Sequence, residues 1–599
     1  MKRILFLLIC IIEALGMFAN SANYIKEITP RVAQNNIDTT IQVANDSTRP
    51  IIKRTFYDAM YRPTLTYLYN YTPNHQNLVT LNEYDDYARP SKEWLPTAVS
   101  SNSLTINSFK NNATQFYSGE SRPFVEHVYS TTTWDNGTTK NELVGTQKAG
   151  ADMGAHKVGF FSRGNDSTEV RLFKVTSEGL LEANGFYYVT ALFVTKTTDE
   201  DNIAKVVYTN LRDQMVMEKL GDATTYYVYN DLNQLCYVLP TLAANQIANG
   251  TYSDTTDVLK KYAYVYKYDS RGNQIYKRLP GCEPTFMVYD ITNTLVMSQT
   301  GTQRQRGTYW TVYKCDALRR VVYTSEVNIG HADYDYLWNT WDKLYVKESF
   351  SLTPQANMMT NTGYTRSFYH IHPTTLLTVN YYDTYEFLDL MADSVRNHMT
   401  FAAFDDNDTC ANAKGLLTGT RTYYMDGSGD YSETAYYYDY RGREIQRRST
   451  NHLGGYDVLS TKYDFVSNIT NTWASQSTNN GLTTTEHYQY TYDHANRPLT
   501  TTYTFNNESP IVLQSYHYDE LGRVRSRHLH GGIDSVTFAY NIRDQITQIK
   551  SSGYEQKYYY NQQCPIANDL VRKVYNGNIS ATTWTYGNTT NGYMYYYDK

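Results

Sequence analysis

The chain has 599 residues, 19% of them charged, and a formal charge of -6; this length exceeds one ordinary core and requires several domains or an extended repeat. Lysines and arginines are scattered without long basic runs, which disfavours nucleic acid as a partner. The aromatic balance, 61 Tyr against 20 Phe, suits surfaces that are apolar on one side and wet on the other, as in half-buried sheets.

Lys2 and Arg3 precede an apolar run from Ile4 to Phe18, with small residues at Ser21 and Ala22. This is the layout of a secretory signal peptide, assigned to residues 1–22, with Glu13 an unwelcome charge inside it. The run is short for a bilayer span, and no later stretch approaches ~20 apolar residues. The expected location is secreted or cell-surface, without a membrane span after cleavage. Residues 23–125 form an N-terminal domain with two turn frames, "FYDAMYRP" and "YDDYARP", ahead of the polar stretch "SSNSLTINSFKNNATQ". Residues 126–225 hold a Gly-punctuated segment and then alternating runs such as "GFYYVTALFVTKT", so a second β-rich module is expected.

Residues 226–599 are dominated by alternation that ends in Tyr-Asp. "KYAYVYKYD" places Tyr262, Tyr264, Tyr266 and Tyr268 on one strand face, and "EHYQYTYD" does the same with Tyr488, Tyr490 and Tyr492. In "YHYDELGRV", Tyr518 closes the strand, Asp519 and Gly522 take the first and fourth positions of a type I turn, and Arg523 begins the return. Asp bonds nearby backbone N–H groups and Gly takes positive φ. The frame recurs at Tyr268, Asp269 and Gly272 and at Tyr438, Asp439 and Gly442, while Asn233, Asn293, Asn496 or Asp544 replaces the glycine elsewhere. Tyr61, Ala88 and Arg319 occupy that position too, and different turns are expected there. Units return roughly every 20 to 30 residues, the period of a repeat built from one hairpin plus a connection. One hairpin cannot bury its face, so neighbours must pair edge to edge into a long, twisting sheet. "LLTVNYYDTYEFLDLMADSVRNH" and "FDDNDTCANAKG" interrupt the frame as a short helix and loop.

Candidate chemistry is sparse. Asp519 and Arg523 would make an acid and an anion clamp, yet a frame tiled over many turns points to backbone geometry. Asp405, Asp406 and Asp408 lack EF-hand spacing, His370 and His372 lack a third ligand, and Ser428 in "DGSGD" lacks a nucleophile elbow. No phosphate-cofactor fingerprint stands in strand-to-helix context. Cys236, Cys282, Cys315, Cys410 and Cys564 follow the leader without CxxC spacing; most are expected to be buried small hydrophobes, and pairing would leave one unpaired. No catalytic, cofactor-binding or metal-binding residue is assigned, and no cofactor and no enzymatic activity are expected.

The repeats resemble those of bacterial RHS, or YD-repeat, proteins, whose units carry Tyr-Asp-x-x-Gly-Arg. "YKYDSRGNQIYKRLPGCEPTFMVYDITNTLVMSQTG" followed by "YWTVYKCDALRRVV" resembles the repeat block of secreted members, and "TTYYVYNDLNQLCYVLP" their first repeat. "NYIKEITP" with "SKEWLP" is similar to the uncharacterised N-terminal domain preceding such repeats. The resemblance implies an all-β fold with minor α, in which tandem hairpins form a spiralling, shell-like sheet. It further implies a secreted, non-enzymatic scaffold that encapsulates or presents a C-terminal effector, or a surface module that adheres to a protein or glycan. Complete toxin-delivering members continue into a core-associated domain that cuts the chain through aspartates, and then an effector. This sequence stops at "YMYYYDK", where Tyr597 and Asp598 resemble the opening of another repeat, so the repeat region is expected to be incomplete and no autoproteolysis residue carries over.

Overall fold

The computed structural model describes residues 23–31 and 50–597, apart from 119, 134–138, 331–333, 342, 354–357, 360, 368–374, 405–409, 411–412 and 567–571. The expected signal peptide at residues 1–22, Asp405, Asp406, Asp408, His370, His372 and Asp598 lie outside the described residues. One antiparallel sheet of 34 strands runs through the rest. Each strand pairs with the next in a meander, from Tyr24–Thr29 to Thr589–Met594. One excursion breaks the order: Val158–Gly164 pairs with Phe193–Thr198, and the intervening Arg171–Val175 and Leu181–Phe186 form a three-stranded sheet with Gly250–Tyr252. Among the described residues the sheet is not closed, since its first strand pairs only with Ile51–Tyr57 and its last only with Ala581–Tyr586. The strand Ala223–Tyr229 spans position 225, so the sheet continues from the second module into the repeats.

In the first two thirds of the chain, one face of this sheet carries a core. Cross-strand register aligns Tyr208, Met217, Tyr226 and Leu239 on it. The three-stranded sheet and the helices Thr241–Gln246 and Asp257–Tyr262 cover them. Tyr262 therefore ends a helix instead of sharing the strand of Tyr264–Tyr268. Leu259, fully buried in that core, pulls the segment out of the alternation that its tyrosines suggest, so packing overrides local pattern. Further along, Trp310, Val312 and Val327 are covered by Leu337 and Trp341 of the helix Tyr334–Trp341. Tyr381, Ala435 and Tyr437 are covered by Phe387, Leu388 and Met399, from the 3-10 helix Glu386–Leu390 and the helix Asp393–Met399. These two short helices lie in the first interruption of the repeat frame.

Buried charges fasten the inserted segments to the sheet. Arg421 Nε donates to Glu433 Oε1 at 2.8 Å, Arg421 Nη1 donates to the Asn361 carbonyl at 2.7 Å, and the guanidinium lies 4.1 Å from the Tyr431 ring centre. Lys314 Nζ stands 3.4 Å from Glu348 and donates to the Ser367 carbonyl at 2.7 Å. Breaking either pair would strand a buried charge, at a cost of about 3–5 kcal/mol.

The C-terminal part is built differently. No residue between Thr501 and Tyr560 is buried, although six strands lie wholly or partly in that stretch. From Ile511–Tyr518 onward, register places Tyr516, Arg527 and Val536 on one face, with Phe538 and Ile549 paired on that same face. His517, Ser526, Thr537 and Lys550 alternate onto the other. Tyr516, Val536, Phe538 and Ile549 are half-buried, while His517, Thr537 and Lys550 are exposed. This is a wall one sheet thick with a polar face and a more apolar one.

Candidate functional site

The repeated Tyr-Asp frame is the feature most often built into this fold, and its geometry shows what each residue does. At Asp519 the backbone N–H donates to the Arg523 carbonyl and Gly522 N–H donates to the Asp519 carbonyl, both at 2.9 Å. The carboxylate completes the loop: Oδ1 accepts from the N–H groups of Leu521 (3.0 Å) and Arg523 (2.9 Å), and Oδ2 accepts Arg523 Nε at 2.7 Å. Gly522, at φ 83°, supplies the left-handed residue that ends a type I turn in a bulge. Asp439 repeats these bonds with Arg441 and Arg443, and Gly442 has φ 77°. At Asp269 the second oxygen takes Asn273 Nδ2 at 2.8 Å in place of a guanidinium, while Gly272 keeps φ 87°.

The turns at Tyr61, Ala88 and Arg319 do not differ. Their φ values are 58°, 68° and 62°, and Tyr61, Ala88 and Arg319 donate their N–H groups to Asp58, Asp85 and Asp316 as Gly522 does to Asp519. The left-handed conformation costs a non-glycine residue about 1–2 kcal/mol, and the surrounding bonds to Asp outweigh it. At Asp58 the backbone and then the side chain of Arg62 hold the carboxyl below its usual range.

The tyrosine before each turn does more than line a face. In most repeats its hydroxyl reaches back to the preceding hairpin and donates to a carbonyl of the returning strand, five residues after the turn-opening residue except at Leu417, whose long loop opens at Asp383. Tyr518 bonds Pro498 O at 2.6 Å, Tyr438 bonds Leu417 O at 2.6 Å and Tyr268 bonds Leu235 O at 2.8 Å. Tyr84, Tyr463, Tyr492 and Tyr540 do the same with Pro63, Glu444, Ile469 and Val524. The turn arginine meets the same ring: Arg62 lies 4.3 Å from Tyr84, Arg443 4.6 Å from Tyr463 and Arg523 4.7 Å from Tyr540. Asp thus holds Arg, Arg lies over the tyrosine of the next hairpin, and that tyrosine bonds the strand leaving the Asp turn. Burial pushes the Tyr438 and Tyr518 phenols up to about 12, so they remain donors at neutral pH. The carboxylates are committed to several donors each, an arrangement that fixes a backbone and leaves little acceptor capacity for proton transfer.

A second constellation joins the two ends of the chain. Asp152 forms a two-pronged pair with Arg543, Oδ1 to Nη1 at 2.6 Å and Oδ2 to Nη2 at 2.8 Å, and accepts Asn561 Nδ2 at 2.8 Å. Those bonds to Arg543 are the main cause holding the Asp152 carboxyl below its ordinary value. Asp201 accepts the backbone N–H groups of Tyr575 (3.0 Å) and Asn576 (3.1 Å), and His156 stacks on Tyr575 with centres 3.5 Å apart. Nearby, Arg31 Nη2 donates to the Asp493 carbonyl at 3.0 Å, and the His75 and His494 rings lie 4.4 Å apart. Arg543 and Asp493 belong to repeat turns, so the row of turns is also the surface on which the sheet, curling round, meets its own beginning.

Sequence reasoning placed the Asp and Gly positions of the turn but missed the tyrosine hydroxyl and the seam. The tyrosine had a visible signal, its fixed position before most of the turns; the seam, joining residues hundreds apart, had none. Ser428 sits in an exposed tip, its N–H donating to Asp426 at 2.9 Å and its Oγ accepting Asp430 N–H at 3.0 Å. Cys236, Cys315 and Cys564 are buried, Cys410 is half-buried and Cys282 is exposed; all five are free thiols. Burial pushes the Cys315 thiol up to about 11, which keeps it a poor nucleophile. No helix among the described residues is long and apolar enough to cross a membrane.

Residues 26–159 match the family model of a domain of unknown function, DUF6443. No curated protein matches the chain. Among solved structures, the fold is similar to the crystal structure of TcdB2-TccC3, with a TM-score of 0.54 and 11% identity over 94% of this chain and 23% of that one. The Photorhabdus luminescens Tc holotoxin pore carrying a TccC3 mutation is similar at a TM-score of 0.52 and 11% identity, over 93% of this chain and 22% of that one. The chain spans less than a quarter of the length of either. At such identity the likeness is one of fold, an extended antiparallel sheet that coils without closing.

Proposed function

We propose that this protein is a secreted, non-enzymatic YD-repeat scaffold, the shell-forming portion of an RHS-type protein that encloses or presents an effector polypeptide. The observation that carries the reading is the 34-stranded meander whose C-terminal part is clasped to its N-terminal third by Asp152 with Arg543 and by Asp201 with the Tyr575 and Asn576 amides. A sheet that curls until its C-terminal turns meet its own N-terminal third can set one face apart from the other as inside and outside. The fold likeness to TcdB2-TccC3 supports the same reading. The tiled carboxylates support a structural role, because each is held by its own turn. The mechanism is mechanical: the wall excludes proteases and solvent-borne partners from what it encloses.

The test is protease protection. An unstructured reporter polypeptide fused after Lys599 is expected to survive limited proteolysis in the intact chain and to be cut readily in Arg543→Glu, where the clasp becomes repulsive. Digestion of the fused reporter at the rate of the free reporter would overturn the reading.

A further inference from the structure

The sheet has a cavity of about 980 Å³ whose floor includes the strands Val158–Gly164, Phe193–Thr198, Ala204–Thr209 and Met215–Leu220. Register fixes what those strands present. Phe161 pairs with Lys196, Lys196 with Val206 and Val206 with Lys219, so these four stand in one cross-strand row on one face. Neighbouring strands are about 4.8 Å apart, which sets the two lysines roughly 10 Å from each other. Arg572 and Tyr597 close the cavity from the C-terminal segment.

Charge in this cavity is unbalanced. Of its carboxylates, Glu169 is held by both Arg163 and the Tyr208 hydroxyl, the latter at 2.7 Å, and Asp201 is committed to the Tyr575 and Asn576 amides. Asp222 also lines the cavity. Lys196, Lys219 and Arg572 are exposed and form no ion pair with any carboxylate among the described residues. Lys205, on the opposite face of the same sheet, does pair with Glu218, at 3.2 Å. Two aromatic rings line the same cavity, Phe161 at 57% and Tyr597 at 47% exposure.

We infer that this cavity is a binding site for an acidic oligosaccharide, its carboxylate or sulfate groups meeting Lys196, Lys219 and Arg572 and its sugar rings lying against Phe161 and Tyr597. A strand-like peptide is the poorer fit. All four floor strands are hydrogen-bonded on both sides, so there is no free edge for an added strand, and an extended peptide would leave main-chain groups unpaired. A sugar ring offers apolar faces to the aromatics and hydroxyls to solvent. This site stands apart from the scaffold reading, since the scaffold needs no ligand here.

The test is calorimetry with the full chain and three probes: a sulfated uronate oligosaccharide, a neutral oligosaccharide of equal length, and poly-glutamate of equal charge. The acidic sugar is expected to bind, more weakly at high salt, at least tenfold more weakly in the double variant Lys196→Glu with Lys219→Glu, and without change in Lys277→Glu elsewhere on the surface. Phe161→Ala removes the ring without altering charge and is expected to weaken the sugar several-fold. Equal binding of the neutral sugar, preference for poly-glutamate, loss of nothing in the double variant, or no binding by a folded wild-type chain would each overturn the assignment.

Discussion

Replacing Tyr540 by Phe isolates the contribution of one hairpin-to-hairpin bond. The phenol donates to the Val524 carbonyl at 2.9 Å, and its ring lies 4.7 Å from the Arg523 guanidinium. Phe keeps the ring, and with it the cation–π contact of about 0.5–1 kcal/mol, but removes the hydrogen bond, a net loss of about 1 kcal/mol. A chain of this size is not expected to unfold in one step, so a global melting curve would blur the effect. Native-state hydrogen exchange reads it locally: amides of Val524–Leu529 and Asp534–Tyr540 are expected to exchange about fivefold faster, since 1.4 kcal/mol is tenfold. Tyr516→Phe is the internal control, because its hydroxyl has no partner among the described residues while its ring faces the same wall. Equal acceleration in both variants, or none in Tyr540→Phe, would refute the proposition that the Tyr-Asp tyrosine acts through its hydroxyl.

Turn strain gives an opposite pair of effects. Ala88→Gly is expected to stabilise its hairpin by about 1 kcal/mol by relieving a positive φ, and Gly522→Val to destabilise by more, since any Cβ there meets Arg497 Nη1 at 2.7 Å as well as the left-handed backbone at 83°; exchange rates at the two turns measure both. Acid should open the seam. The Asp152 carboxyl is depressed in the folded state, so its stabilisation is fully present above the unfolded carboxylate value of about 3.9 and is lost as pH falls through the folded value. Glu169, lowered from 4.5 to about 2 with burial opposing its bonds to Arg163, Asp166 N–H and Tyr208, loses its contribution over that same interval. Small-angle scattering is expected to show unchanged dimensions from pH 7 to 5 and expansion between about pH 4 and 2; expansion already complete at pH 5 would contradict this. Arg421→Met leaves Glu433 buried without its partner and is expected to cost about 3–5 kcal/mol, read as proteolytic loosening of residues 413–460.

Much of the fold was legible in the sequence, for physical reasons that can be named. Period-two alternation and the Asp519 to Gly522 spacing are local, so strands and turns followed directly. The segment at Tyr262 misled because the last residue of a helix with one buried leucine falls in step with the alternating tyrosines of the strand that follows. Ala88 and Arg319 misled because a residue's own preference says nothing of the carboxylate bonds that hold the turn. The seam was invisible: Asp152 and Arg543 are ordinary surface residues until the sheet's accumulated twist brings them together.

The repeat unit explains why the wall between Thr501 and Tyr560 can stand without a core. A sheet layer usually needs a second layer to bury its apolar face, and earlier in this chain helices and a small sheet provide one. In the wall each hairpin is held instead by its Asp or Asn turn and, where the frame is complete, by an arginine laid over the next tyrosine and that tyrosine's bond back to the preceding hairpin. These contacts lie at the turn end of every hairpin and link nearest neighbours, so stability accumulates along the sheet as in other repeat arrays. Mid-strand positions on both faces are thereby released from structural duty. That freedom lets Tyr516, Val536, Phe538 and Ile549 form one face and His517, Thr537 and Lys550 the other, each open to be matched to what that face of the sheet meets.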